Sequence, residues 1–580
     1  MKKVWKGFAA AVSAAAIAAT GFIGASAANA AEGDVTVTIT DATSADQKFV
    51  AYRVLDATNN GENYAYTINT TYSEVLKTAT GLPLNGTPEA NNAAVTEYIG
   101  GLSTTSTPTM KQFADKLWLA IADKGITPDV AEFAGKEGGA SFEGPQGYYL
   151  IRQTKAGASD ALSAVIVNTA GQNGVDVTLK KDVPTVVKKV QNVNDSSNTT
   201  SNWQDSADHD VNDQVSFQLT GTVAQNVNEY HKYKFQFNDT MSQGLTFVQA
   251  GDTAATTDVT VKIDGTQVAS DSYTVSLSAA EAGTAAPYAG GTVLTVSFAD
   301  LLIAKDTEGN TITLDGGDIV TVEYKATLNE NAVIGSDGNP NKVDLTFAND
   351  PHYNGAGANQ PTGTTPKDEV IVFTYEVNAD KITSDKKPLE GASFALLKWF
   401  EKDQVWKVYQ PAKAADGENA AVVAGWVALP STVTIANKGD IATLPQTEAA
   451  KIPGTATAQN KDGKWTVNFP RIDDGDYAIV ETAVPAGYNY AAPTQFTITG
   501  ALVTTQPTGQ PITGTWGAPT TTNKDVTVSG GTISASIVNN AGNELPETGG
   551  MGTTILYAAG AAIVLIAGIG LAVTLRRRQA

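Results

Sequence analysis

The 580 residues contain no cysteine, so no disulfide can brace the fold or set a redox state. Histidine is nearly as scarce. There are three, His209, His231 and His352, with no HExxH or other close-spaced ligand pair, so no metal site of the catalytic zinc type is expected. No GxSxG elbow, phosphate-binding glycine loop or GxGxxG fingerprint occurs, and no cofactor is expected. Basic charge is also short, with 39 Lys and Arg against 60 Asp and Glu and a net charge of −21. An acidic surface of that kind argues against nucleic acid as a partner. Long apolar runs are confined to the two ends.

At the start, Lys2, Lys3 and Lys6 precede an Ala-rich apolar stretch and the small-residue site Ala28-Asn29-Ala30. This predicts a signal peptide over 1–30, cut between Ala30 and Ala31. At the other end, an apolar run from Thr553 to Leu575 is followed by Arg576-Arg577-Arg578. That length suits a transmembrane helix, and the arginines would hold its far end in the cytoplasm. Just ahead stands Leu545-Pro546-Glu547-Thr548-Gly549. Over 545–580 the ordered trio resembles the cell-wall sorting signal of Gram-positive surface proteins. The resemblance implies a sortase that cleaves between Thr548 and Gly549 and passes the threonine carbonyl to an amine.

Between the ends the texture is β. Runs such as Val35 to Thr40, Val215 to Leu219 and Phe394 to Lys398 alternate with Gly, Asn, Asp and Pro turns. One helix is predicted over Met110 to Asp123, where Phe113, Leu117, Ala120 and Ile121 fall on one face. Polar, Pro-bearing stretches near 182–184 and 355–368 suggest domains at 31–182, 183–367 and 368–544. The expected class is all-β, with tandem Ig-like or transthyretin-like sandwiches.

Gly475 to Thr482 lines up with Gly147 to Thr154, with Glu481 against Gln153. Tyr477, Ile479 and Glu481 alternate and share one face of a strand. A carboxyl on an apolar face is driven toward its neutral form by desolvation. The run Glu481-Thr482-Ala483-Val484-Pro485-Ala486-Gly487-Tyr488 resembles the E-box of collagen-adhesin B-type domains, also found in Gram-positive pilins. There a glutamate promotes an amide bond between a lysine on the first strand and an asparagine on the last. The first strand, taken as Val370 to Lys381 ahead of Leu389 to Phe394, makes that lysine Lys381. The last, Ile533 to Asn540, makes the asparagine Asn539, with Asn540 the lesser choice. The middle domain resembles its counterpart in pilus shaft proteins, where an aspartate takes the glutamate's role. By that resemblance Lys188 bonds to Asn349 with Asp239 as the acid, and Lys189 is the alternative lysine. Gln153 cannot shuttle a proton, so no such bond is expected in 31–182.

Val175-Asp176-Val177-Thr178-Leu179-Lys180 resembles the pilin motif that ends in the polymerisation lysine. Thr178 and Leu179 depart from its usual Tyr-Pro, and Gly171 stands where tryptophan is expected. The choice between Lys180 and Lys181 therefore stays open. Asp205, Asp208, Asp210 and Asp213 fall in a stretch expected to be a solvated loop, with calcium conceivable but no EF-hand spacing.

The whole pattern resembles the precursor of a major pilin, joined head to tail through Thr548 and Lys180. The implied partners are a pilin-type sortase, identical subunits, accessory pilins, peptidoglycan and a host glycan or matrix receptor. The chain would be a sortase substrate and not an enzyme. The alternatives are a wall-anchored monomeric adhesin, or a minor pilin at the tip or base.

Overall fold

A computed structural model of the chain describes residues 34–59, 63–102, 109–157, 160–179, 183–351, 353, 360–416, 420–454, 456–503, 519–542 and 551–578. Ala30, Ala31, Lys180, Lys181 and Leu545 to Gly549 lie outside them. Among the described residues, every sheet draws its strands from one of three stretches, 35–177, 185–373 or 375–539.

The first stretch includes β1 (Val35–Ile39), β2 (Lys48–Asn59), three helices, β3 (Ala140–Gly144), β4 (Gly147–Lys155), β5 (Ala164–Asn168) and β6 (Gly174–Val177), with two further strands, Tyr64–Ile68 and Val130–Ala134, paired to β2. The expected helix forms as α3 (Met110–Lys124), closed by a capping box between Thr109 and Gln112 and ended by left-handed Gly125. Two more helices, α1 (Ser73–Thr80) and α2 (Pro88–Gly100), were not expected. α2 starts where Thr87 accepts from the Ala90 N–H and Pro88 sets the first turn. β1 lies between β3 and β6, antiparallel to the first and parallel to the second.

The second stretch contains β7 (Thr185–Val190), β8 (Gln214–Thr222), β9 (Phe235–Met241), β10 (Ile319–Leu328) and β11 (Asn339–Ala348). β8 is paired on one side with β7 and on the other with β10. In the second sheet β9 lies between β11 and the strand Thr292–Phe298. Burial alternates along these strands, as it must when one face of each sheet meets the core. The sheets approach closely at Gly221, where an added Cβ would lie 2.9 Å from the ring tips of both Phe235 and Phe237.

The third stretch contains β12 (Tyr375–Thr383), β13 (Ser393–Phe400), β14 (Lys464–Ile472), β15 (Gly475–Ala483) and β16 (Thr532–Asn539). β12 pairs antiparallel with β14 and parallel with β16. β13 and β15 pair antiparallel in a second sheet.

By proximity the first two stretches, apart from Asn194–Asn198, form one compact unit, and the third with Asn194–Asn198 forms another, the main division falling between Thr374 and Tyr375. Residues Asp368–Phe373, read from the sequence as the opening of the third domain, pair antiparallel with β11 instead. That pairing keeps them in the middle sheets. A 28-residue helix, α4 (Met551–Arg578), forms over the apolar run. Among the described residues no helix is long and apolar enough to cross a membrane, so the membrane span rests on the sequence pattern.

Candidate functional site: two buried lysine clusters

Lys381 and Asn539 sit on neighbouring parallel strands, with Lys381 opposite Ile537 and Thr383 opposite Asn539. Glu481 enters from the other sheet, on β15. All three are buried. The Lys381 amine is 3.2 Å from Glu481 Oε1 and donates to the Ile537 carbonyl at 3.2 Å. Asn539 Nδ2 donates to both Glu481 oxygens at 3.0 Å, and Glu481 Oε2 also accepts from the Ala491 N–H at 3.0 Å. The amine and the amide therefore share one carboxyl oxygen. Among the described residues Asn539 Oδ1 has no hydrogen-bond partner. Turning the amide over about its Cβ–Cγ bond places the carbonyl oxygen on the Glu481 carboxyl. Burial holds the Lys381 amine below the ordinary lysine range, against the opposing pull of Glu481. Asn540, the next residue, lies just past the end of the strand and is exposed.

The second cluster lies between the two sheets of the middle stretch. Lys188 comes from β7, and its amine is paired with the Asp239 carboxyl of β9. Burial drives both toward their neutral forms, lowering the lysine pKa and raising the aspartate's. The Tyr324 hydroxyl accepts from Lys188 Nζ at 3.0 Å and donates to Asp239 Oδ1 at 2.8 Å. Asn341 Nδ2 donates to the same hydroxyl at 2.7 Å. Lys188, Asp239 and Asn341 have no exposed surface, and Tyr324 is buried.

Asn349 is not in this cluster. It follows β11 by one residue, eight positions beyond Asn341, which is roughly 27 Å along an extended strand. There its Nδ2 donates to the Asp160 carbonyl at 3.2 Å and its own carbonyl accepts from the Leu162 N–H. Register is the reason. Asp239 faces Val343 and Met241 faces Asn341 across the β9–β11 pair. Lys189 points to the other side of β7 and pairs with Asp205. Asn341 and Tyr324 were not singled out in the sequence, although each falls in an alternating buried pattern, Asn341-Val343-Leu345 and Val320-Val322-Tyr324.

Gln153, aligned with Glu481, is buried on β4, and its amide donates to the Lys155 carbonyl at 3.3 Å. The aspartates near 205–213 do not form a solvated loop. Asp205, Asp208 and Asp210 are buried, because Ser206–Asp208 is a strand paired with 371–373.

Residues 375–510 match the family model of the SpaA prealbumin-like fold domain, and residues 537–580 that of the LPXTG cell wall anchor motif. The chain is a cell-wall-anchored protein with a SpaA-type domain. Neither matched family is an enzyme family. The wall-anchored protein is also 35% identical over 83 residues to the trypsin-resistant surface T6 protein of Streptococcus pyogenes. That match spans 13% of this chain and 16% of the relative. Among solved structures, similar chains are the T6 backbone pilin of S. pyogenes (15% identity, TM-score 0.46, covering 89% of this chain and 100% of that one) and the major pilin SpaD of Corynebacterium diphtheriae (15%, TM-score 0.40, 88% and 98%). A third is the major pilin SpaA of C. diphtheriae (14%, TM-score 0.39, 88% and 100%).

Proposed function

We propose that the wall-anchored protein is the precursor of a major pilus shaft subunit, stabilised by two internal lysine–asparagine amide bonds. The observation that carries the covalent part is the grouping of Lys381, Glu481 and Asn539, all buried, on shared hydrogen bonds. A buried, uncharged amine is a nucleophile. Lys381 Nζ attacks Asn539 Cγ beside the Glu481 carboxyl, which touches both groups and relays one amine hydrogen to Nδ2. The Cγ–Nδ2 bond breaks and ammonia leaves. Each bond forms once per chain, so this is self-reaction and not turnover.

The middle domain supports the same chemistry with Lys188 as nucleophile and Asp239 as acid. Its acceptor is Asn341 rather than Asn349. The name of the T6 relative, trypsin-resistant, suits a chain whose strands are tied covalently. For assembly, the anchor match supports a sortase substrate. A pilin-type sortase would join Thr548 of one chain to Lys180 of the next. A head-to-tail contact that does not close grows as an open filament. Accessory pilins, peptidoglycan and a host receptor complete the implied partners.

Intact mass of the soluble region tests the internal bonds. The expected mass is lighter than the sequence mass by two ammonias. Asn341→Ala restores one, Asn539→Ala restores the other, and Asn349→Ala restores neither. An unshifted wild-type mass overturns the bonds, and a loss restored by Asn349→Ala returns the acceptor to that position. Immunoblots of wall extracts test assembly. A high-mass ladder abolished by Lys180→Ala supports the shaft, whereas a ladder abolished only by Lys181→Ala moves the linkage by one residue. A single monomer-sized band would favour the monomeric adhesin.

A further inference from the structure

We propose that Tyr324 is a catalytic residue of bond formation in the middle domain, its hydroxyl carrying a proton from the Lys188 amine to the departing Asn341 nitrogen. This rests on the reading that Lys188 and Asn341 become linked.

The two clusters solve the same problem with different parts. In the third stretch Glu481 touches both the amine and the amide. In the middle stretch the acid is shorter by one methylene. Asp239 and Asn341 are diagonal neighbours across β9 and β11, with their side chains within reach of each other. Tyr324 joins both from the opposite sheet. Its hydroxyl touches the nucleophile, the acid and the leaving nitrogen, at 3.0, 2.8 and 2.7 Å.

The ring is held for this task. It stacks on Phe217, with centroids 5.3 Å apart and planes at 19°, and the Lys188 amine lies 4.9 Å from the Phe217 centroid. Burial keeps the phenol well above its ordinary pKa, so it reacts as O–H and not as phenolate. A neutral Asp239 carries its own proton. That proton serves the amide oxygen Asn341 Oδ1, which has no hydrogen-bond partner among the described residues, and it frees the hydroxyl to turn toward Nδ2.

The step balances. Lys188 Nζ bonds to Asn341 Cγ and gives one hydrogen to Tyr324 Oη. The hydroxyl's own hydrogen passes to Nδ2, the Cγ–Nδ2 bond breaks, and ammonia departs. The tyrosine ends as it began, and nothing is oxidised or reduced.

The test is Tyr324→Phe in the full chain, which keeps the ring on Phe217 and removes only the hydroxyl. Newly synthesised protein is sampled over time, and the loss of each ammonia is read by mass on the peptides that carry the two links. Loss of a positioned acid–base group slows a reaction by about a hundredfold or more. The expected result is that slowing at Lys188–Asn341, with the Lys381–Asn539 link forming at the wild-type rate as the internal measure of folding. Equal rates at Lys188–Asn341 in wild type and Tyr324→Phe overturn the proposal while leaving the bond itself standing. A wild-type chain with no Lys188–Asn341 link overturns the bond, and the role of Tyr324 with it. If Tyr324→Phe fails to fold, wild-type sequence grown with 3-fluorotyrosine replaces it. The more acidic hydroxyl then shifts the Lys188–Asn341 rate, and an unchanged rate overturns the proposal.

Discussion

A lysine with no exposed surface and a single carboxyl partner is either a buried ion pair or a reactant. Asn539→Ala separates the two states, because it keeps Lys381 and Glu481 but removes the acceptor. Burial places the Lys381 amine below the ordinary value of about 10.5 in the folded chain. Between its folded pKa and 10.5 the unfolded chain binds the extra proton, so stability of Asn539→Ala rises with pH through that window and levels off above it. In the linked wild type the amine has become an amide and contributes no such slope. Urea midpoints of both proteins from neutral pH to about 10.5 check this, and equal slopes would refute the link. The variant also loses the restraint on a loop of about 160 residues, a cost of about 5 kcal/mol if a cross-link acts on chain entropy as a disulfide does. The cluster was legible in the sequence because parity along β15 put Glu481 on an apolar face and the E-box resemblance then implied Lys381 and Asn539. Parity failed for the middle cluster. Asn341 and Asn349 are both an even number of residues from Val343, so they share a face, and only the non-local register with Asp239 chooses between them. Tyr324 was hidden for the same reason, since nothing local ties β10 to β7.

At the scale of strands, the pleat decides which asparagine can react. Asn540 adjoins Asn539 but lies one residue past the end of β16 and is exposed. Asn539→Ala is therefore expected to stay unlinked although an asparagine remains next door, and its mass, corrected for the substitution, should exceed that of wild type by one ammonia. A mass equal to that of the linked chain, corrected for the substitution, would mean that β16 slips by one residue. The middle sandwich has its own constraint at Gly221. A methyl group there would meet the rings of Phe235 and Phe237, both fully buried on β9, at 2.9 Å. Gly221→Ala should destabilise by about 1–3 kcal/mol through overpacking, read as a lower denaturant midpoint with unchanged slope. Retained stability would show that the two sheets can separate by a few tenths of an ångström without loss. The helices were read unevenly. α3 shows an apolar face, whereas α2 buries only Val95 and Ile99. Its clearest local signal was the cap Thr87-Pro88-Glu89, which a search by periodicity passes over.

For the molecule as a whole, the covalent path explains where links occur. If chains join through Lys180 and Thr548, tension runs only through the residues between them. The stretch before Lys180 hangs off that path, and there Gln153 replaces the promoting acid. Lys188 follows Lys180 by eight residues, and Asn539 precedes Thr548 by nine. Most of the loaded chain would lie inside one of two closed loops, 188–341 and 381–539, and force would pass across each amide instead of through the loop. Stretching between positions 180 and 548 in a single-molecule instrument should therefore extend the wild type without releasing either loop. Each loop has about 150–160 residues, and an extended residue spans about 3.3–3.6 Å, so each release would add roughly 500 Å. Asn539→Ala should gain one such step, Asn341→Ala one, and the double variant two. Steps of that size in the wild type would show that the loops are open and that hydrogen bonds alone carry the load.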